Sequence, residues 1–280
     1  ASRPRPRNPL AHLMLPPSTR STLRLFFVGG VIAYRALFNW LNPWIFVPTL
    51  ISAPIFQVLF FAFLGRSAGL ESDRFYVIGN ALQIAALPGL FAMTFAISGE
   101  RWYQTLSPLL ATPANRASVF LGRALPVIAN AAFVCVVSFA AGALILHVHI
   151  DASAVPALAV VIAATSVSCT GFGFICGPLG LRWRDAIIAV NLLDAVLLIF
   201  CGVNIPIGSL PQWMQWTSEY LPVTHGLRAA RRVADGASLG DVGGLLVAEL
   251  SIGLTYAAVG YVWLRHLETV ARRGASLENS

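Results

Sequence analysis

Six apolar runs, each about as long as a bilayer is thick, divide the chain: residues 43–64, 75–97, 121–146, 155–179, 186–203 and 242–264. A helix rises 1.5 Å per residue and needs about 20 apolar residues to cross the hydrocarbon core, satisfying every backbone polar group within the segment. So dense a succession leaves little chain for a water-soluble domain. Composition agrees: the chain is 57% hydrophobic and 11% charged, against roughly 25% charged residues in a soluble domain. The fold class read from this pattern is an all-α membrane protein with six transmembrane helices.

All 19 basic residues are arginine, and no lysine occurs in the 280 residues. A Walker A loop requires its lysine at the nucleotide phosphates, and Schiff-base chemistry requires a lysine amine. Both are excluded, so any nucleotide that drives this protein is bound by another chain. The arginines are spread over loops and form no single basic face, which argues against a nucleic-acid partner. Cys135, Cys169, Cys176 and Cys201 lie in apolar runs without metal-ligand spacing and read as small packing residues.

Arginine also sets the orientation, because cytoplasmic loops carry the excess of positive charge. With the N-terminus inside, only Arg66, Arg74, Arg228, Arg231 and Arg232 face outward. Both ends are then cytoplasmic: an Arg/Pro-rich tail over residues 1–21 and a second tail over 271–280. Residues 22–42 are ambiguous. Arg24 and Arg35 stand three helical turns apart, with Arg20, Asn39 and Asn42 near the same face. This is the pattern of an amphipathic helix lying in the interface, its arginines on anionic headgroups. The alternative is a seventh span. The body of the fold is expected over residues 43–270.

Between the second and third runs the chain writes "SGERWYQTLSPLLATPANRASVFLGR". Trp102, Leu106, Leu109 and Leu110 fall at i, i+4, i+7 and i+8, an apolar stripe on a short cytoplasmic helix over residues 100–113. Glu100 suits the positive helix N-terminus, and Pro113 stops the helix. The stripe must be covered, either by the membrane surface and the protein's own bundle or by a docked cytoplasmic partner.

The segment resembles the cytoplasmic loop of the ABC-2 family of transport permeases, on Glu100, Arg101, Thr105, Leu106, Leu109, Leu110, Thr112, Pro113, Arg116, Gly122 and Arg123. Trp102, Tyr103 and Gln104 depart from the family's usual charged residues and glycine. A second match lies in "NIPIGSLPQWMQWTSEYLPVTHGLRAAR", residues 204–231. It is similar to the family's extracellular segment before the last span, on Leu210, Pro211, Trp213, Pro222, Thr224, His225 and Arg231. The resemblance implies a permease that carries the membrane path of an ATP-driven exporter and pairs with a second permease copy, identical or related. It also implies that residues 100–113 form a coupling helix seated in a separate P-loop ATPase subunit, present in two copies. ATP and Mg would be bound by that subunit, and no cofactor or metal by this chain, which would not itself be an enzyme. The implied location is a bacterial plasma (inner) membrane, with lipids as further partners. All-arginine usage and abundant Ala and Val fit a GC-rich bacterial genome.

Residues 204–231 also carry physical signals of their own. Pro206, Pro211 and Pro222 interrupt an apolar half-span, and Trp213, Trp216 and Tyr220 suit the membrane–water boundary. Either two short helices dip into the outer leaflet as a re-entrant segment, which the resemblance makes an outer gate, or the stretch is an ordinary interfacial loop. His225 reads as a capping or hydrogen-bonding residue, with a switch or ligand as the alternative. His147, His149 and Asp151 read as a solvated loop, with a surface metal site as the alternative.

Ionisable groups at membrane depth are costly and mark candidate function. Asp194 has Asn191 three residues before it, on the same face. Glu249 shares a face with Gly253, Tyr256 and Gly260. Asn191, Asp194 and Glu249 are therefore candidates for the translocation path or a dimer interface, with interhelical hydrogen bonding as the alternative. The small and hydroxyl residues of 165–174 predict close helix packing. The implied cargo is a hydrophobic drug, natural product or lipid; a lipid-linked polysaccharide is the alternative. An ion-coupled secondary transporter is the rival from another class, though no internal repeat points to one. No HExxH, GxSxG or paired-carboxylate motif suggests an intramembrane enzyme.

Overall fold

The computed structural model describes residues 51–69, 71–102, 116–182 and 186–277, with backbone alone at 96–102, 116–121, 179–182, 186, 268 and 270–277. The described residues form nine α-helices and two short 3₁₀ turns, with no strand. The helices are α1 (Ala53–Ala68), α2 (Asp73–Gln83), α3 (Ala86–Trp102), α4 (Arg116–Ile145), α5 (Val155–Arg182), α6 (Ala186–Phe200), α7 (Gln212–Ser218), α8 (Thr224–Ala234) and α9 (Gly243–Leu277). Among the described residues, four stretches are long and apolar enough to cross a membrane: Asp73–Phe95, Gly122–Ile145, Ala152–Pro178 and Gly243–Leu267. Ala53–Ala68 and Ile187–Phe200 are apolar but shorter. At 15 residues, α6 is about 22 Å long, less than the roughly 30 Å hydrocarbon core.

Local chemistry sets the helix ends. Gly69 closes α1 with φ 63°, a left-handed cap that costs glycine little. Ser72 then caps α2, its Oγ accepting from the Phe75 N–H at 3.3 Å, and Asp73 occupies the first turn. Arg66 pairs with Asp73 and clasps the end of α1 to the start of α2.

Residues 75–97 read as a single span, and Asp73–Phe95 is long and apolar enough to be one, with a local break at Ile84–Ala85 between α2 and α3. Pro88 supplies the reason: it has no N–H to donate to the Ile84 carbonyl, and its ring collides with that carbonyl in a continuous helix. Pro126 and Pro178, in contrast, lie inside α4 and α5, which continue past them. Helix α9 continues to Leu277, and its apolar, span-length part is Gly243–Leu267. The predicted interfacial helix at 22–42 and the N-terminal tail lie outside the described residues.

Helix α5 is the centre of the bundle, packed along α3 on one side and α9 on the other. Glycine makes both approaches possible. A Cβ on Gly171 would strike the Gly253 carbonyl, one on Gly260 the Phe174 carbonyl, and one on Gly173 the Gly89 carbonyl. Backbones this close gain dispersion contacts that larger side chains would forbid, the usual basis of helix association in lipid. Three hydroxyls of the 165–174 run donate to carbonyls of their own helix: Thr165 to Val161, Ser166 to Ile162 and Thr170 to Ser166. They leave that packing surface largely apolar. Helices α4 and α9 are the more exposed spans, with Leu144, Val247, Leu254 and Val262 turned outward.

Candidate functional site

Two polar constructions interrupt this apolar bundle. The first is the connection between α6 and α9. The chain reverses at Gly202, φ 78°, and makes a 3₁₀ turn at Ile207–Ser209 in which the Pro206 carbonyl accepts from the Ser209 N–H at 3.0 Å and its hydroxyl at 2.7 Å. Leu210 is buried, and its carbonyl accepts from the Gln215 amide at 2.7 Å. Pro211 then opens α7, which presents Trp213 and Trp216 outward, 63% and 69% exposed. The Trp213 ring meets Phe200 of α6 edge-on at 5.6 Å. Pro222 is buried and leads to Val223, a β-branched residue held at φ 79°.

That unusual backbone is fixed by Glu249. Its side chain is wholly buried, and its two oxygens accept from the Val223 N–H at 2.7 Å and the Gly226 N–H at 2.9 Å. A carboxylate thus caps the positive N-terminus of α8 from a neighbouring helix. The Tyr256 hydroxyl, two turns further along α9, donates to the Tyr220 carbonyl at 3.0 Å. Glu249 lies six residues below Gly243, so the α8 N-terminus sits roughly 9 Å down α9 from its start. At the other end of α8, the Arg74–Asp235 ion pair, 3.3 Å, ties the segment to the start of α2. The connection therefore descends along α9 and returns.

Charged side chains close the segment. His225 Nε2 donates to the Glu219 carbonyl at 3.0 Å. The Glu219 carboxylate takes both terminal nitrogens of Arg228, and that hydrogen bonding holds it below the usual carboxylate range, with burial opposing. Arg231 donates to the Gly202 carbonyl at 2.9 Å, with its guanidinium 3.6 Å from the Phe75 ring centre. Thr224 is buried, and His225 Nδ1 has no hydrogen-bond partner among the described residues.

The second construction is a polar row across α1, α2 and α6. The Gln57 amide donates to Gln83 Oε1 at 2.9 Å, and the Gln83 amide donates to Asp194 Oδ1 at 2.9 Å. One turn away, Asn80 donates to Asn204 at 2.8 Å and to the Tyr76 carbonyl at 3.0 Å. Gln83 and Asn80 are buried, whereas Gln57 and Asp194 are partly open at the two ends of the row. Asn191 points outward among the exposed Ile187, Ile188 and Leu192. It does not join Asp194 in the row.

Of the 98–123 loop, Glu100 and Arg101 belong to the last turn of α3, and Arg116 opens α4. Thr105, Leu106, Leu109, Leu110, Thr112 and Pro113 lie outside the described residues. All four cysteines are free and buried. His149 and Asp151 stand 3.7 Å apart and well exposed, and no metal-ligand cluster occurs among the described residues. Sequence reasoning missed Gln57, Asn80, Gln83 and Asn204. Asn80 and Gln83 did carry a signal, two amides at i and i+3 within an apolar run.

Comparisons with known proteins place these features in context. A family model described as ABC-2 type transporter matches residues 30–234. The chain is 23% identical over 194 residues to a probable multidrug ABC transporter permease, YbhR, of Escherichia coli K12, covering 69% of this chain and 52% of that protein. It thus spans about half the length of that relative. It is 24% identical over 262 residues to a probable doxorubicin resistance ABC transporter permease protein, DrrC, of Mycobacterium tuberculosis H37Rv, covering 88% of this chain and 92% of that protein.

Proposed function

The chain belongs to the ABC-2 type transporter family, and from that membership we infer that it is the membrane-spanning permease of an ATP-driven exporter. The observation that carries the reading is the extent of the family match. Residues 30–234 include both the 98–123 loop and most of the α6–α9 connection. Helices α1 and α6 join the four longer stretches as the first and fifth of six spans, and both termini are cytoplasmic. A separate P-loop ATPase, in two copies, supplies the hydrolysis. The absence of lysine from this chain fits that division of labour.

Residues 100–113 are the coupling helix. Its leucine stripe seats it in the ATPase, and its position at the end of α3 passes motion to the second span. Transmission of a two-state change requires a stiff element captured by its partner. The α6–α9 connection is the outer gate, with Pro206, Leu210, Pro211, Trp213, Trp216, Pro222, Thr224 and His225 shaping it. Two permease copies enclose the path, and the cargo is a hydrophobic drug, natural product or lipid. The names of the relatives, a multidrug and a doxorubicin resistance permease, support that cargo class.

The test is co-purification from native membranes. A P-loop ATPase accompanying the wild type, and lost from Leu106→Asp and Glu100→Ala, supports the coupling role. A permease that purifies alone, with variants indistinguishable from wild type, contradicts it.

A further inference from the structure

Asp194 is a charge-bearing group without a charged partner among the described residues. Its Oδ1 accepts from the Gln83 amide, and that amide's carbonyl accepts from Gln57, so the donors run one way, toward the carboxylate. Such a polarised row suits an ionised acceptor, and successive hydrogen bonds reinforce one another. A carboxylate offers about four acceptor positions, and buried charges are ordinarily paired. Here one amide N–H meets Oδ1, and no arginine or histidine among the described residues pairs with Asp194.

The position sharpens the point. Asp194 lies mid-helix on α6, partly open, at the border between the buried Val190 and Leu197 and the outward Ile188, Asn191 and Leu192. On α2, Gln83 is 2% exposed and walls it from behind. The free side of the carboxylate therefore faces out of the single chain, at membrane depth, beside apolar side chains. A ligand completing this site carries one positive hydrogen-bond donor on an apolar body.

We propose that Asp194, oriented by Gln83 and Gln57, is the residue that selects cargo bearing a primary or secondary ammonium group on a hydrophobic frame. This rests on the exporter reading and narrows its cargo class. The Gln83–Asp194 bond aims one oxygen into the protein and leaves the other for the ammonium. Gln57, at the far end of the row, holds Gln83 in the orientation that donates.

The test uses two dansyl probes of the same alkyl length, one ending in a primary amine and one in a hydroxyl. They are titrated by fluorescence into the permease with its co-purified ATPase in nanodiscs of zwitterionic lipid. Wild type should bind the amine about tenfold or more tightly than the alcohol, the size expected of one charge-assisted hydrogen bond. Asp194→Asn keeps the side-chain shape and the Gln83 bond. It should lower amine affinity to the alcohol's level and leave alcohol affinity unchanged, whereas Asp194→Glu should retain the preference. Thermal unfolding of each variant verifies that it is folded.

An equal amine preference in wild type and Asp194→Asn overturns the proposal, as does no preference in wild type. Dissociation of permease pairs in Asp194→Asn with probe preference intact also overturns it, assigning the carboxylate to pairing of copies. ATP-driven uptake of the alcohol probe into inside-out vesicles reads the exporter separately. Uptake that persists in Asp194→Asn while the amine preference is lost supports the proposal. Uptake that persists with the preference intact refutes it and leaves the exporter standing. If neither probe is taken up by wild type, the exporter reading is what fails, and the nanodisc titration still decides the role of Asp194.

Discussion

Glu249 ties the last long helix to the start of α8 through two backbone N–H groups. Leaving a buried donor unsatisfied costs about 1–3 kcal/mol. Glu249→Ala strands two donors and also releases Val223 from the hold on its φ of 79°. It is expected to lower the unfolding temperature clearly in detergent. Glu249→Gln keeps one acceptor oxygen and should fall between the two; equal stability of all three proteins would contradict the capping account. Glu219 gives a pH dependence. Its folded pKa is depressed by Arg228, so its contribution is full above the ordinary carboxylate pKa of about 4.3 and is lost as pH falls through the folded value. Wild type and Glu219→Gln should therefore differ in thermal stability at neutral pH and converge as the pH falls below about 4. A gap that persists unchanged into acid would rule this out. As sequence, Glu249 was conspicuous, an acid inside an apolar run. Its partners were not, because backbone N–H groups have no sequence signature and only the fold brings residue 223 beside residue 249.

At the scale of elements, glycine contacts set the α5–α9 and α3–α5 distances. Gly253→Val places methyl groups against the Ser168 backbone, and overpacking of this kind costs roughly 1–3 kcal/mol. Gly244→Ala, where nothing lies within 4 Å of the added carbon, should be neutral or slightly stabilising. Similar thermal shifts for the two variants would contradict the packing account. The small-residue run at 165–174 made this packing legible in advance. The break between α2 and α3 was less so: hydropathy averages across it, and only Pro88 marks it. Helix α7 makes a separate prediction. If its exposed Trp213 and Trp216 sit at the outer headgroup level, their fluorescence is quenched by lipids brominated near the ester end of the chain, and little by lipids brominated near the terminal methyl. Equal quenching by both, or none, would place α7 elsewhere.

At the scale of the whole molecule, the apolar runs predicted the helical architecture because each span must satisfy its own backbone within lipid. Residues 186–203, the shortest of those runs, hold α6, which is apolar but shorter than the long spans. The expected orientation is directly checkable. All four native cysteines are buried and give a quiet background for a membrane-impermeant maleimide. Gly208→Cys should label from outside intact cells and Arg272→Cys only after permeabilisation; the reverse pattern would invert the topology.

The central claim is that a second chain's ATP hydrolysis moves cargo through this one. Its most direct measurement is uptake of a hydrophobic fluorescent probe by inside-out vesicles holding the permease with its co-purified ATPase. The account predicts accumulation that requires ATP and Mg, survives collapse of the ion gradients by ionophores, and is lost with Leu106→Asp. Accumulation that needs no ATP and vanishes when the gradients are collapsed would contradict it, and would make this chain an ion-coupled transporter.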